Sequence, residues 1–112
     1  MNLGSIAGRN LYEFHTAYCG TKFAVHAMSE GLRREAAPHG VRVITVAPGM
    51  VATELLLMTR SQDIRDGYEA YRDSIGGGLD AHAVAEAVQF VYELPQMVCV
   101  RELVIAPTVQ AV

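Results

Sequence analysis

Seven consecutive residues, Val41-Arg42-Val43-Ile44-Thr45-Val46-Ala47, limit what this chain can become more than any others. They are mostly apolar and β-branched, without the polar/apolar alternation of a surface strand. That pattern suits a strand covered on both faces, as in a parallel sheet. The flanks agree. Upstream, a segment from about Thr16 to Ala37 carries Val25, Met28, Leu32 and Ala36 at three- and four-residue steps, a helical period, and Pro38-His39-Gly40 stops it. Downstream, Pro48-Gly49 turns the chain out of the strand. The opening Met1-Asn2-Leu3 runs into Gly4-Ser5-Ile6-Ala7-Gly8 and reads as a strand end emptying into a loop of small residues. Asp80 is an N-cap for a second helix through about Leu94, with Val84, Val88 and Val91 on one face and Pro95 beyond it. Val98 to Ile105 reads as a further strand interrupted by Arg101-Glu102.

The order is therefore strand stub, helix, strand, polar segment, helix, strand. Such alternation predicts an α/β fold with right-handed connections on a parallel sheet. Residues 54–79 are polar and irregular, with apolar clumps and the glycine run Gly76-Gly77-Gly78, and read as a short helical lid ending in a hinge. Two strands and a stub are too few for a doubly wound sheet with helices on both faces. The expectation is one partial domain over residues 1–112, the C-terminal part of such a sheet.

Composition narrows the function classes. Hydrophobic types make up 51% of the 112 residues and charged types 19%, enough to build a core. The net charge is -3 with no basic run, which argues against nucleic acid or an anionic membrane as partner. No apolar stretch nears the ~20 residues of a membrane span and no signal-peptide layout opens the chain, so a cytoplasmic location is expected. Cys19 and Cys99 are expected as buried reduced thiols. His15, His26, His39 and His82 have no metal-ligand spacing, and no metal is expected. Met28, Met50, Met58 and Met97 read as core or lid filler, Tyr68, Tyr71 and Tyr92 as half-buried, and Arg101-Glu102 as an exposed ion pair.

The chemistry concentrates near the first helix. Tyr18 and Lys22, the chain's single lysine, are four residues apart and share a helix face. A phenol titrates near ~10 and becomes a useful acid-base group at neutral pH when a nearby ammonium favours the phenolate. Ser5 lies thirteen residues before Tyr18, at the carboxyl end of a predicted strand, the edge where open α/β sheets bind ligands. Its hydroxyl can hydrogen-bond a substrate oxygen while the phenol moves a proton. The strand ending in Pro48-Gly49-Met50-Val51-Ala52-Thr53 reaches the same edge, where main-chain groups and the Thr53 hydroxyl can meet a planar amide.

Together the Asn2-to-Gly8 strand end, the Tyr18/Lys22 helix, the Pro48-to-Thr53 turn, the lid, and the last helix and strand resemble the catalytic half of the short-chain dehydrogenase/reductase family. The resemblance spans nearly the whole chain and implies a Rossmann-like fold. Cys19-Gly20-Thr21, Ser29-Glu30-Gly31-Leu32-Arg33 and Arg101 to Thr108 are similar to the branch acting on 3-hydroxy acids, serine and allo-threonine, which generally uses NADP rather than NAD. The resemblance implies Tyr18 as general acid-base, Ser5 as the residue that polarises the substrate oxygen, and Lys22 as the partner of both Tyr18 and the nicotinamide ribose. It implies Pro48, Gly49, Val51 and Thr53 as the site of the nicotinamide carboxamide and nearby phosphate. By position alone, His15 reads either as lining the substrate pocket or as a solvated loop histidine, and Tyr71 as a substrate contact through the lid. The family's glycine-rich phosphate turn and ribose selector are expected upstream of Met1, since no GxxxGxG occurs here. The family also implies pairing of chains through the Tyr18–Lys22 helix and the C-terminal helix and strand. The alternative is a non-catalytic remnant that docks on itself or on a full-length relative.

Overall fold

The computed structural model describes residues 1–111. Three strands, β1 (Asn2–Leu3), β2 (Thr45–Pro48) and β3 (Glu102–Ile105), form one parallel sheet in the order β1-β2-β3. Thr45 lies between Asn2 and Glu102, so the ladder register is common to all three strands. The helices are α1 (Thr16–Ala36), α2 (Gln62–Ser74) and α3 (Ala81–Glu93). Short 3-10 turns occupy Ile6–Gly8, Ala37–His39 and Glu54–Met58.

The local signals hold where the chemistry is local. α1 ends one residue before the expected stop, and Gly40 follows its 3-10 extension in the left-handed region. The Asp80 side chain accepts from the His82 N–H and caps α3, and Val91 is that helix's buried residue. The guanidinium of Arg42 donates to the carbonyls of Leu94 at 2.9 Å and Tyr92 at 3.0 Å, placing a cation at the negative end of α3. The core is Val46 and Ala47 of β2 and Val43 and Ile44 just before it, with Ile6, Ala7, Cys19, Met50 and Val91.

Several expectations are corrected. The ladder within Val41–Ala47 begins at Thr45, where Asn2 and Glu102 stand opposite; Val43 and Ile44 are buried ahead of it, while Val41 is exposed. Of Val98–Ile105 only the last four residues pair, because Thr45 is the first residue with a partner in β3. On α1 the face carrying Met28 (64% exposed) and Leu32 (50%) looks outward. The inward stripe is Cys19, Lys22, His26 and Ser29, polar because it meets main-chain and side-chain polar groups of the β1 segment. Met50 is buried, whereas Met58 and Met97 are exposed. Cys99 is exposed, with only its Sγ reaching the Val43 carbonyl at 3.8 Å, and Cys19 alone is a buried thiol. Tyr92 is exposed, as is Tyr71. Glu102 does not pair with Arg101 but opens β3 and binds Arg9 and His26.

Candidate active site

α1 is fastened to the β1 segment at three successive levels. Lys22 Nζ donates to the Leu3 carbonyl at 3.1 Å, the Ser5 N–H donates to His26 Nε2 at 3.3 Å, and Asn2 Nδ2 donates to Ser29 Oγ at 2.9 Å. The helical repeat sets these levels about one turn apart, and Tyr18 lies one turn before Lys22 on the same side. The Lys22 ammonium stands 5.7 Å from the centre of the Tyr18 ring, and that ring remains partly open to solvent. The sequence-derived trio of Ser5, Tyr18 and Lys22 is thus carried by one strand end and the helix bound to it.

Ser5 is buried and extended, and it caps the Ile6–Gly8 turn with its Oγ accepting from the Ala7 N–H at 3.1 Å. One lone pair of the hydroxyl is therefore occupied, and its proton is left to donate. At the end of β2, Gly49 N–H donates to the Ile105 carbonyl and Met50 N–H to Gln110 Oε1 at 2.8 Å. Gln110 and Ala106 fill the space where a Gly49 side chain would stand. Leu79 N–H donates to the Met50 carbonyl and Ala52 N–H to the Leu79 carbonyl, closing the base of the 54–79 excursion. In this parallel bridge the main-chain groups of Val51 face away from Leu79. A planar carboxamide needs one donor and one acceptor, and Val51 offers both. Thr53 is exposed, with no side-chain cap bond to the 3-10 turn it precedes. Pro48 ends β2 beside these groups.

The 54–79 segment carries aromatic groups on α2. Tyr68 of α2 lies 5.7 Å from the His15 ring at a tilted angle, and His15 Nδ1 is 2.7 Å from the Glu13 carbonyl. Burial pushes the Tyr68 phenol above its ordinary value, and Tyr18, Tyr12 and Tyr71 act in the same direction. Tyr12 is raised likewise by burial and then by Tyr71, and its hydroxyl is buried without a hydrogen-bond partner among the described residues. Tyr12, Tyr18 and Tyr71 thus lie near enough to Tyr68 to oppose its ionisation, a loose tyrosine cluster with the His15 ring packed against Tyr68. Phe14, just before His15, is almost fully exposed at a positive φ of 61°, an uncommon backbone state for a bulky residue.

Sequence reasoning singled out His15 and Tyr71 but missed Tyr12, His26, Glu102 and Gln110 as parts of this site. A signal existed for His26 alone: it follows Lys22 by four residues and so extends the Tyr18/Lys22 stripe.

The model of the short chain dehydrogenase family matches residues 1–64, more than half of the chain. The chain belongs to that family. An uncharacterized oxidoreductase of Staphylococcus saprophyticus is 36% identical over 114 residues, which covers 99% of this chain and 45% of that protein. One from Staphylococcus aureus is 35% identical over 107 residues, covering 96% and 41%. The chain thus spans less than half the length of these relatives. Among solved structures, the closed form of a serine dehydrogenase complexed with NADP+ superposes with a TM-score of 0.82 at 31% identity, over 99% of this chain and 44% of that one. Serine dehydrogenase from Escherichia coli gives 0.75 at 29% identity, over 99% and 40%. The short-chain dehydrogenase ancestry agrees with the α/β fold and with a parallel sheet that forms part of a Rossmann-like one. Among the described residues no helix is long and apolar enough to cross a membrane.

Proposed function

We propose that the protein is a nicotinamide-dependent oxidoreductase acting between an alcohol and the corresponding carbonyl of a small substrate of the 3-hydroxy acid kind, with NADP favoured over NAD. The observation that carries this reading is the α1 face itself. It holds Tyr18 and Lys22 beside the strand end whose buried Ser5 keeps a hydroxyl proton to give. In this reading residues 1–112 are the catalytic and substrate part of one Rossmann-like domain, with 54–79 as the lid. The NADP preference is supported by the similarity to a serine dehydrogenase complexed with NADP+, and the 3-hydroxy acid class by the same relative.

Bound nicotinamide supplies the two-electron hydride acceptor for the substrate carbon. The chain's residues do the rest. Ser5 donates its hydroxyl proton in a hydrogen bond to the substrate oxygen and holds it at the strand end. The Tyr18 phenolate takes the proton of the substrate hydroxyl as the carbon becomes a carbonyl, and the Lys22 ammonium stabilises the phenolate. Lys22 also holds the ribose hydroxyls. Main-chain groups of Pro48, Gly49 and Val51, with the Thr53 hydroxyl, hold the carboxamide and nearby phosphate. His15 and Tyr71 contact substrate from the lid side, and lid closure excludes water.

Self-association belongs to the same proposal. Phe23, Met28 and Leu32 on α1, with Phe90 on α3 and Val104 on β3, leave apolar side chains exposed on the elements expected to pair. Sedimentation of the purified protein tests this, with a dimer or larger species expected and a monodisperse monomer against it. The test of function is turnover by the protein as its source cell produces it, followed by reduced-nicotinamide absorbance with serine and other 3-hydroxy acids. NADP-dependent reduction supports the proposal. Failure with every 3-hydroxy acid and simple alcohol favours the non-catalytic remnant.

A further inference from the structure

His26 in the α1 seam is bonded at both ring nitrogens and touches neither the expected substrate nor the cofactor groups. Its side chain is 12% exposed, and its ring lies between two glycines. A Cβ on Gly4 would stand 2.3 Å from His26 Nε2, and one on Gly8 would stand 2.5 Å from the ring. No real side chain tolerates either distance, so the two glycines that bracket Ser5 are the space the ring requires. On one edge Nε2 accepts the Ser5 N–H; on the other Nδ1 lies 3.2 Å from Glu102 Oε1. An accepting Nε2 means that Nδ1 carries the proton, and a carboxylate is the group that fixes that tautomer. Arg9 holds the carboxylate in turn, its Nε donating to Glu102 Oε1 at 2.7 Å and its Nη2 to Oε2.

We propose that His26 is a positioning residue for Ser5: fixed by Glu102 with its proton on Nδ1, it anchors the Ser5 main chain and so sets the place of the hydroxyl that the reaction uses. This rests on the reading of Ser5 given above. Ser5 is then held twice, by His26 at its N–H and by Ala7 at its Oγ, and its remaining freedom is the hydroxyl proton. The link joins three segments far apart in sequence, since Glu102 opens β3, His26 sits mid-helix and Ser5 ends the β1 segment. Adding a proton to Nε2 replaces the acceptor with a donor facing the Ser5 N–H. The charged groups against the imidazole are Glu102 from β3 and Arg9 through that carboxylate, while Lys22 and Glu30 lie one turn before and after it on α1 and the β1 segment carries no charged side chain.

Four variants and one spectrum test this on the protein as produced in its source cell. Long-range proton–nitrogen correlation of the histidine rings should show His26 protonated at Nδ1 and bare at Nε2, and Glu102→Ala should abolish that preference. His26→Ala should lower kcat about ten- to a hundredfold, with KM for NADP unchanged. His26→Gln keeps an amide oxygen for the Ser5 N–H, so it should recover most of kcat. Glu102→Ala leaves the ring filling its space and keeps the test informative if His26→Ala fails to fold. A proton on Nε2 at neutral pH overturns the proposal whatever the turnover. A damaging Ser5→Ala with a harmless His26→Ala overturns the positioning role alone, while a harmless Ser5→Ala removes both that role and the reading of Ser5.

Discussion

Gly4 to Gly8 are five consecutive buried residues, whereas not one residue between Glu54 and Leu79 is buried. The first stretch is tied to α1 and β3 through Lys22, His26 and Glu102, and its glycines leave no room for a methyl group. The second is a 3-10 turn and an exposed helix, fastened at its base by two hydrogen bonds to Leu79 and followed by three glycines at φ of 81°, 96° and 87°. In the proposed reaction the contrast corresponds to two tasks. Groups that must stay within fractions of an ångström are set on packed secondary structure, and groups that must adapt to a substrate ride on a segment with little to lose by moving.

If that division holds, changes in the packed wall and changes in the lid should act on different parameters. The largest effect is expected from Ser5→Ala, which should lower kcat about a hundred- to a thousandfold with little change in KM for NADP. The matched lid variant, Tyr71→Phe, should move KM for the substrate less than about tenfold and leave kcat nearly intact. A lid variant as damaging to kcat as the wall variant would break the comparison.

Stability should separate the regions too. Gly4→Ala drives a methyl group into the His26 ring and should cost about 1–3 kcal/mol in denaturant unfolding. Gly77→Ala meets open space and should cost about 1–2 kcal/mol, through backbone strain alone. Its thermal midpoint should shift less than that of Gly4→Ala, and its main signature should be a changed substrate KM.

The smallest expected effect lies on the outer surface of α1. Hydrogen bonds from Arg33 and Arg34 hold the Glu30 carboxyl down to about 2 from an ordinary 4.5. A folded value below the unfolded one gives stability that is complete above about 4.5 and is lost as pH falls toward about 2. Glu30→Gln should therefore differ from the parent protein at neutral pH and converge with it near pH 2, by an amount that salt reduces because the group is well exposed. Unfolding curves across that acid range check it.

Much of this layout was legible before any coordinates. The limits of α1 and the Asp80 cap depend on neighbours in sequence, and each stands within a residue or two of its expected place. Ser5, Tyr18 and Lys22 stand out as candidates because a strand end and an i,i+4 pair are local patterns whose order along the chain resembles that of the family. The inner stripe of α1 was misread because apolar periodicity marks any covered face, and here the apolar residues point outward while polar ones meet the β1 segment. Glu102 was invisible for a related reason. Its partners Arg9 and His26 lie on other elements, and the bond to Arg9 spans 93 positions, so only the sheet register brings them together. The tyrosine cluster is of the same kind, since α2 reaches Tyr12 and Tyr18 only after the chain has turned back through Pro48-Gly49.

In the proposed reaction the fixed wall moves the proton through Tyr18. The direct test is Tyr18→Phe in the protein as its source cell makes it, measuring NADP binding by fluorescence and turnover of a 3-hydroxy acid in the same preparation. The account predicts retained binding with turnover lower by about a hundred- to ten-thousandfold across the pH range. Turnover equal to that of the parent protein would contradict it.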